Sequence, residues 1–420
     1  MTLLSRNRLR RLWLAAAFSI ALLGTIAAAD SDFTDVDRRA LAAPRSAERS
    51  VSALAAYLSD CGRSDRDTAR AIFTWTAYNV VYDTSLVGAK AEASSVLRQR
   101  RAVCAGYAVL FKALAEAAGL EAVVIYGEAR GRGPAAARSR DGMYNHDWNA
   151  VKLDGEWRLV DCAWGAGHLD ERGRFIQQFE DHYFLTPPEQ FARDHFPNDS
   201  KWQLLDHPLS RRGFLRQADV RPAFFEYGLR LASHAEKYIE ASSRLSVTIG
   251  APREVNLMAS LHRNGVELQE GYTFAQRKDD GYEIQTVFPK RGDYLLRVHA
   301  RRAGSEDQSY DCAVEYRVHA GGAEASVFPK IFLSFQEGNC SLDRPLTGPL
   351  RAGKPVAFRL TAPGADDVLV LCNGSAKRLG AEGGGVFEAT LTLDAGDAIV
   401  FARYPGQTSH LALLQYKVRR

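Results

Sequence analysis

The period of the hydrophobic pattern changes once along this chain, close to residue 244. Before that point apolar residues recur at helical spacing, as over residues 46–81, and a short buried strand is predicted over residues 121–128. After it, apolar and polar residues alternate in short runs separated by turn residues, which is typical of β-strands. The 420 residues are too many for one hydrophobic core. We therefore predict an α+β domain followed by an all-β part.

The all-β part contains two sets of predicted strands that echo each other. Residues Val314–Val318 recur as Leu414–Val418, an offset of about 100 residues, which is the length of one β-sandwich. We predict two all-β immunoglobulin-like sandwiches, over residues 244–320 and 326–420. Neither contains a motif that carries chemistry, so binding or spacing is the expected role of both.

A predicted helix that begins near Cys104 carries the candidate nucleophile. Its apolar face comprises Tyr107, Leu110, Phe111, Leu114 and Ala118. Gly119 is a plausible end for this helix. Cys104 then lies in the first turn, where unpaired backbone N–H groups and the helix dipole favour an anion. Gly106 leaves backbone uncovered beside the sulfur, so that a substrate can approach.

A predicted hairpin carries the partners of this cysteine. Asp154–Gly155 between two alternating runs is a strong signal for a two-residue turn. Such a turn places His146 opposite Ala163. The same register makes His146 and Asp161 diagonal neighbours on one face, with Cβ atoms about 7–8 Å apart. An imidazole and a carboxylate at this separation can form a hydrogen bond.

We interpret Cys104, His146 and Asp161 as a nucleophilic triad, in which Asp161 orients His146 and His146 takes the proton of the thiol. Structural roles are the alternative, because a single cysteine in an apolar helix is commonly a small buried hydrophobe. The same three residues could in principle bind a metal. No fourth ligand or paired cysteine spacing accompanies them, so neither a metal nor a cofactor is expected.

Several segments of the first half resemble the transglutaminase-like superfamily, and most closely its kyphoscoliosis-peptidase branch. The matching segments are Cys104–Ala108, Asn145–Val151, Gly155–Gly167, Tyr183–Phe191, His195–Pro197 and Lys201–Leu205. The resemblance covers about residues 33–225. It implies a papain-like arrangement, in which a helix with the cysteine packs on an antiparallel sheet with the histidine and the aspartate. We expect this domain to span residues 33–238.

Two further residues are candidates for the substrate cleft besides Gly106. Tyr82 lies in the loop that borders the cleft in members of this family, and Trp164 precedes Gly165–Gly167 at the edge of the expected groove. Residues 131–142 form a loop rich in Gly, Arg and Ala just before the hairpin. This loop is either a flap over the cleft or a solvated connection.

Residues 1–29 are typical of an export signal. Four arginines precede the apolar run Leu12–Ala28, and Ala27–Ala29 offers a small-residue cleavage site. An uncleaved membrane anchor is the alternative, since about 17 apolar residues is the short limit for a span. The formal net charge is +4 and this segment carries four arginines without an acid, so the remainder is near neutral. No basic footprint for nucleic acid is left.

Six cysteines occur in the chain, and an exported protein can form disulfides. Cys104 has to stay free to act as a nucleophile. Cys340 and Cys372 flank opposite strands of the second predicted sandwich and are the expected disulfide pair.

The expected function is that of an exported cysteine hydrolase, periplasmic or extracellular. It would cleave amide bonds in a protein or peptide substrate, such as cell-wall or matrix peptides, through a thioester acyl-enzyme. An amine acceptor in place of water would make it a crosslinking transglutaminase. The alternative from another class is a non-catalytic binding or scaffold protein. Contact with a membrane is expected only if the N-terminal segment is uncleaved.

Overall fold

The computed structural model describes residues 33–130, 144–170, 172–307 and 309–420. The predicted export signal and the predicted loop over residues 131–142 lie outside these ranges. Among the described residues, no helix combines the length and the apolar character that crossing a membrane requires.

The N-terminal domain begins with a group of helices. Its helices are α1 (Thr34–Leu41), α2 (Val51–Ser59), α3 (Asp65–Asn79), α4 (Ala93–Gln99), α5 (Cys104–Ala117), α6 (Cys162–Ala166), α7 (Pro188–Phe191) and α8 (Arg211–Arg216). Helix α3 begins where the Ser64 hydroxyl accepts a hydrogen bond from Asp67 N–H at 3.1 Å, an N-cap that ends the preceding turn. The predicted apolar face of α5 is buried, and Gly119 follows its end with φ of 89°.

The strands of this domain form one main sheet and two short pairs. They are β1 (Val81–Tyr82), β2 (Arg101–Ala102), β3 (Ala122–Ala129), β4 (Tyr144–Leu153), β5 (Glu156–Val160), β6 (Gly167–Leu169), β7 (Phe175–Gln177), β8 (Phe184–Thr186) and β9 (His195–Pro197). The main sheet is antiparallel, in the order β8-β5-β4-β3-β9.

Helix α5 packs directly on this sheet. The fully buried Asn149 of β4 donates hydrogen bonds from Nδ2 to the carbonyl of Ala108 in α5 and to that of Val123 in β3, both at 3.0 Å. Phe73, Phe111 and other fully buried side chains fill the space between the helices and the sheet. The position of the helix that carries Cys104 is therefore set by both packing and hydrogen bonds.

The hairpin of β4 and β5 has the predicted turn. Asp154 and Gly155 both have positive φ, 53° and 82°, as a two-residue turn requires. The pairing ends at Asn149 and Val160, however, and does not continue to Ala163 as predicted. Asp161 accepts hydrogen bonds from the first turn of α6, so that the chain leaves the sheet immediately after Val160.

Two sheets enclose the next core, and together we call them the first sandwich. One sheet contains β10 (Asp219–Val220), β12 (Tyr238–Ala241), β14 (Val255–Arg263), β15 (Val266–Glu267), β18 (Gly292–Arg302) and β19 (Asp311–Ala320). The other contains β11 (Arg230–Leu231), β13 (Arg244–Gly250), β16 (Thr273–Lys278) and β17 (Gly281–Val287).

The first sandwich begins earlier in the chain than the predicted residue 244. Strand β10 pairs with β19 and strand β11 pairs with β13, although both lie within the range predicted for the N-terminal domain, which ends at residue 238. These strands are only two residues long, so they lack the alternation by which the longer strands are recognised. The short helix α9 (Pro222–Glu226) lies between them.

Two further sheets enclose another core, and together we call them the second sandwich. One contains β20 (Lys330–Ile331), β22 (Leu350–Arg351), β24 (Asp367–Cys372), β25 (Ser375–Arg378), β28 (Gly396–Arg403) and β29 (Leu411–Arg419). The other contains β21 (Ser341–Arg344), β23 (Pro355–Thr361), β26 (Gly380–Gly383) and β27 (Val386–Thr392), and the short helix α10 is Leu333–Glu337.

The two sandwiches share buried side chains. Phe274 of β16 and Val287 of β17 are fully buried, and both belong to the core of the second sandwich, where Phe274 stacks on Phe328 with ring centroids 5.6 Å apart. Gln276 accepts a hydrogen bond from Leu342 N–H at 2.8 Å across the same boundary. The two sandwiches are therefore packed against each other through a common apolar core.

The predicted disulfide between Cys340 and Cys372 is wrong, because all six cysteines are free thiols. Cys340 Sγ lies 3.6 Å from the Tyr404 hydroxyl, and Cys372 Sγ lies 3.3 Å from the carbonyl oxygen of Asp394. Each sulfur is thus directed at a different neighbour.

Candidate active site

The half-buried Cys104 is the first residue of α5, as predicted. Val103 precedes it in an extended conformation, and β2 places this turn beside β1 through a parallel pair of strands. The result is that Tyr82, the second residue of β1, reaches the start of the helix.

The side chain of Tyr82 is 5% exposed and packs between two aromatic rings, those of Tyr107 at 6.2 Å and Phe175 at 6.1 Å. Its hydroxyl forms hydrogen bonds with both the backbone N–H and the side chain of Cys104. Burial raises the pKa of Tyr82, and the neighbouring sulfur raises it further, so the phenol keeps its proton at neutral pH. Tyr82 is therefore a hydrogen-bond donor beside the sulfur.

His146 lies on β4 and is fully buried. Its Nε2 lies 2.6 Å from Oδ2 of Asp161, and its ring also interacts with the side chain of Cys104. Because Nε2 is taken by Asp161, Nδ1 is the ring nitrogen left for the sulfur. Burial alone would lower the pKa of His146, but Asp161 and then Cys104 raise it to about 10. His146 is therefore positively charged at neutral pH.

Asp161 is held by hydrogen bonds on both of its oxygens. Oδ1 caps α6 by accepting from the backbone N–H groups of Ala163 at 2.9 Å and Trp164 at 3.1 Å. Oδ2 faces His146. Burial would raise the pKa of Asp161, but the charge and the hydrogen bond of His146 keep it well below its usual value. The carboxylate is thus ionised and fixed in orientation.

His195 is the residue of the site that sequence reasoning missed. It is the first residue of β9 and fully buried, and its Nε2 lies 3.0 Å from the same Oδ2 of Asp161. Its Nδ1 lies 2.6 Å from Oδ1 of Asp194, whose other oxygen accepts from the Tyr183 hydroxyl at 3.0 Å. In the sequence this histidine appears only as part of a segment that matches the family. The signal that could have identified it is the acid directly before it, Asp194, at the start of a short strand.

His146, Asp161 and His195 are the described group that could hold a metal ion, with one ligand atom of each lying within 4.8 Å of the others. Both Nε2 atoms are directed at Oδ2 of Asp161 and form hydrogen bonds with it. Two histidines and a carboxylate suit a transition metal chemically. In the arrangement described, however, the three groups are already paired with one another.

The other two predicted cleft residues have packing roles. Trp164 is 4% exposed and covers His195 and His146, with ring centroids at 4.5 and 5.3 Å. Gly106 is buried, and a Cβ there would lie 2.5 Å from Cβ of Ala102. The prediction that Gly106 opens the helix to a substrate is therefore wrong, since the missing side chain allows α5 to approach β2.

A cavity of about 390 Å³ lies behind the site, between the N-terminal domain and the first sandwich. Trp164, Tyr183 and Asp194 line it on one side, and Arg221 and Asp311 line it on the other. The cavity therefore reaches the outer end of the hydrogen-bonded chain that begins at Cys104.

Two family models match this chain. Residues 52–162 match the transglutaminase-like superfamily, and residues 211–329 match the KY-like, immunoglobulin-like domain. Kyphoscoliosis peptidase from Mus musculus is 30% identical over 269 residues, and the Homo sapiens protein of that name is 31% identical over 271 residues. The chain therefore contains a transglutaminase-like domain followed by a KY-like, immunoglobulin-like domain, and its relatives support the kyphoscoliosis-peptidase branch.

The similarity to these transglutaminase-like relatives covers only part of them. The match spans 63% of this chain and 40% of either kyphoscoliosis peptidase. Hillarin from Drosophila melanogaster is 32% identical over 252 residues, which are 56% of this chain and 31% of hillarin. The predicted family is thereby confirmed, together with one immunoglobulin-like domain after the transglutaminase-like domain.

Proposed function

We propose that the N-terminal domain is a cysteine hydrolase that cleaves amide bonds through a thioester formed on Cys104. The observation that carries this proposal is the position of His146, which interacts with the sulfur on one side and with the ionised Asp161 on the other. A buried imidazole in this position stabilises a thiolate as an ion pair, and the thiolate is the nucleophilic form.

The proposed reaction has two stages. The Cys104 thiolate attacks the substrate carbonyl, and the tetrahedral intermediate collapses to a thioester while His146 protonates the departing amine. His146 then takes a proton from water, which attacks the thioester and releases the acid. Asp161 holds the imidazole in the tautomer that both steps require.

Tyr82 supplies the second donor of the proposed oxyanion hole. The first donor is the backbone N–H of Cys104 at the start of α5. The Tyr82 hydroxyl, which contacts this N–H and the sulfur, can donate to the oxygen of the tetrahedral intermediate after a small rotation. One such donor commonly contributes about 10²–10³-fold to turnover.

The remaining parts of the proposal concern the surroundings of the enzyme. We expect a protein or peptide substrate and export through residues 1–29, which lie outside the described ranges. The sheet content of the second sandwich supports a further immunoglobulin-like module, and both sandwiches would position the enzyme on its partner.

The test uses p-nitrophenyl acetate, which acylates an activated thiol. Each acylation releases yellow p-nitrophenolate, so that turnover can be followed by absorbance. We expect acylation at Cys104 in the wild-type chain and loss of turnover in Cys104→Ala and His146→Ala. Cys312→Ala is the matched control, because Cys312 is the other half-buried thiol. A wild-type chain as inert as Cys104→Ala would favour the binding or scaffold alternative.

The acceptor of the acyl group is tested separately. Candidate wall or matrix peptides are incubated with the chain, with and without an added primary amine, and analysed by mass spectrometry. Hydrolysis gives shorter peptides in both samples. A product heavier by the amine, formed at the expense of hydrolysis, would instead identify a transglutaminase.

A further inference from the structure

The arrangement around Asp161 contains one histidine more than the proposed reaction uses. Oδ2 of Asp161 lies 2.6 Å from Nε2 of His146 and 3.0 Å from Nε2 of His195. Because Oδ1 is occupied by the two backbone N–H groups of α6, both imidazoles depend on a single oxygen. The negative charge available to His146 is therefore shared.

We propose that His195 is a positioning residue that divides the charge of Asp161 with His146 and so sets the pH at which His146 releases its proton. This inference rests on the proposed function in one respect, namely that His146 forms an ion pair with Cys104. The inference adds His195 to the residues of the predicted triad. It also states which property His195 controls, namely the pH at which His146 loses its proton.

The ring of His195 cannot turn away from this contact. Phe191 stacks on it with centroids 4.0 Å apart, and Trp164 covers it at 4.5 Å. Asp194 lies on the opposite edge of the ring, with its Oδ1 2.6 Å from Nδ1, so that Nε2 points at Asp161. A fully buried ring with partners on both nitrogens has one stable orientation.

Loss of the His195 donor would leave Asp161 in place, because the carboxylate is still held by α6. Its full charge would then act on His146, which would keep its proton to higher pH. An imidazolium that holds its proton too tightly is a poorer acid for the leaving amine. Sharing the carboxylate therefore keeps His146 able to donate.

Other ionisable groups face these two rings and stay unchanged in the test. They are Cys104, Asp147, Asp161, His182, Tyr183 and Asp194. Since none of them is substituted, a shift between matched variants at position 195 reports the donor to Asp161 and not the general charge of the site.

The test measures the alkylation of Cys104 by iodoacetamide against pH, with the modified peptide identified by mass spectrometry. The rate rises in two steps, first when the thiolate–imidazolium pair forms and again when His146 loses its proton and leaves a bare thiolate. The pH of the second step reports the loss of the proton from His146, and measuring it requires no substrate.

Three variants separate the donor from the ring. His195→Phe keeps the ring and removes both nitrogens, and His195→Asn places its amide near the former Nδ1, too short to reach Asp161. His195→Gln places an amide N–H near the former Nε2. We expect the second step to move upward by about one pH unit in the Phe and Asn variants and by clearly less in His195→Gln, which restores an N–H donor to Asp161.

Two outcomes would overturn the inference. One is an unmoved second step in folded His195→Phe and His195→Asn, with folding checked by circular dichroism. The other is an equal shift in all three variants. If His195→Phe does not fold, nitrogen-15 spectra of the histidine-labelled wild-type chain decide, because an unprotonated Nε2 on His195 cannot donate to Asp161.

Failure of the proposed function would look different. In that case the wild-type chain would show one step, at the pH of an ordinary thiol, and His146→Ala would not change it. If the wild-type chain shows two steps and the second step does not shift in the variants at position 195, only the proposed role of His195 is contradicted.

Discussion

Two histidine pairs among the described residues each share one oxygen atom, and one of these pairs belongs to the candidate site. In that site the shared atom is a carboxylate oxygen of Asp161. In the first sandwich it is the hydroxyl of Ser260, which lies 2.9 Å from Nε2 of His262 and 3.0 Å from Nε2 of His299. The geometry is similar, so the difference lies in the charge of the shared oxygen.

The pKa of His146 moves in the opposite direction from those of His262 and His299. Burial, followed by the charge of Arg297, lowers the pKa of both His262 and His299. Burial acts on His146 in the same way, but the ionised Asp161 outweighs it and raises the pKa to about 10. A buried imidazole therefore becomes a cation where the shared oxygen is ionised and stays neutral where it is a hydroxyl.

The largest expected effect concerns Cys104, the sulfur beside the site pair. Cys104→Ser should lower the turnover of p-nitrophenyl acetate by at least about 10³-fold, because a hydroxyl is not ionised by a neighbouring imidazole. The thermal midpoint should change by no more than about 3 °C. Cys312→Ser serves as the control. A much larger drop in the midpoint would mark Cys104 as a packing residue.

The next effect removes the charge from the site pair. Asp161→Asn should reduce turnover by about 10³–10⁴-fold, since an amide no longer holds His146 in one tautomer or stabilises its charge. Asparagine also caps helices well, so α6 should persist in circular dichroism spectra. Turnover equal to that of the wild-type chain would remove Asp161 from the mechanism.

The reverse change introduces a charge into the other pair. Ser260→Asp should raise the pKa of His262 and His299 by about one unit or more, as measured by nuclear magnetic resonance titration of labelled histidines. Turnover at Cys104 should stay as in the wild-type chain. Unchanged titration of both rings in the folded variant would show that the shared oxygen does not determine their charge.

The smallest effect concerns stability and pH. The folded-state pKa of His299 is lowered, so the unfolded chain binds its proton more tightly and stability is lost as pH falls below about 6.5. Between about pH 7 and about pH 5, the free energy of unfolding should therefore fall less in His299→Gln than in the wild-type chain, by about 1 kcal/mol or less. Denaturant titration at both pH values measures this difference, and parallel curves would contradict it.

The parts of the site that depend on local signals were predictable from the sequence. The start of α5 follows from helical spacing before Gly119, and the hairpin follows from Asp154–Gly155. The contact of His195 with Asp161 is a tertiary one, made by a strand that pairs with β3 on the other side of the sheet. No local pattern indicates that pairing, because β9 has only three residues.

The end of β5 shows a second limit of prediction from the sequence. Asp161 was interpreted as a strand residue on the strength of alternation, whereas it caps α6. The hydrogen bond to His146 was still correctly anticipated, because leaving the sheet after Val160 keeps the carboxylate close to β4. The predicted interaction between His146 and Asp161 is therefore confirmed, whereas the strand register from which it was predicted is wrong.

The common core of the two sandwiches has a mechanical consequence. Because Phe274 and Val287 are buried in the neighbouring sandwich, bending at the boundary between the two sandwiches would expose these apolar side chains to water. The last 200 residues or so should therefore behave as a stiff lever, and a pull on the final strand would travel along it to the N-terminal domain instead of being absorbed by bending.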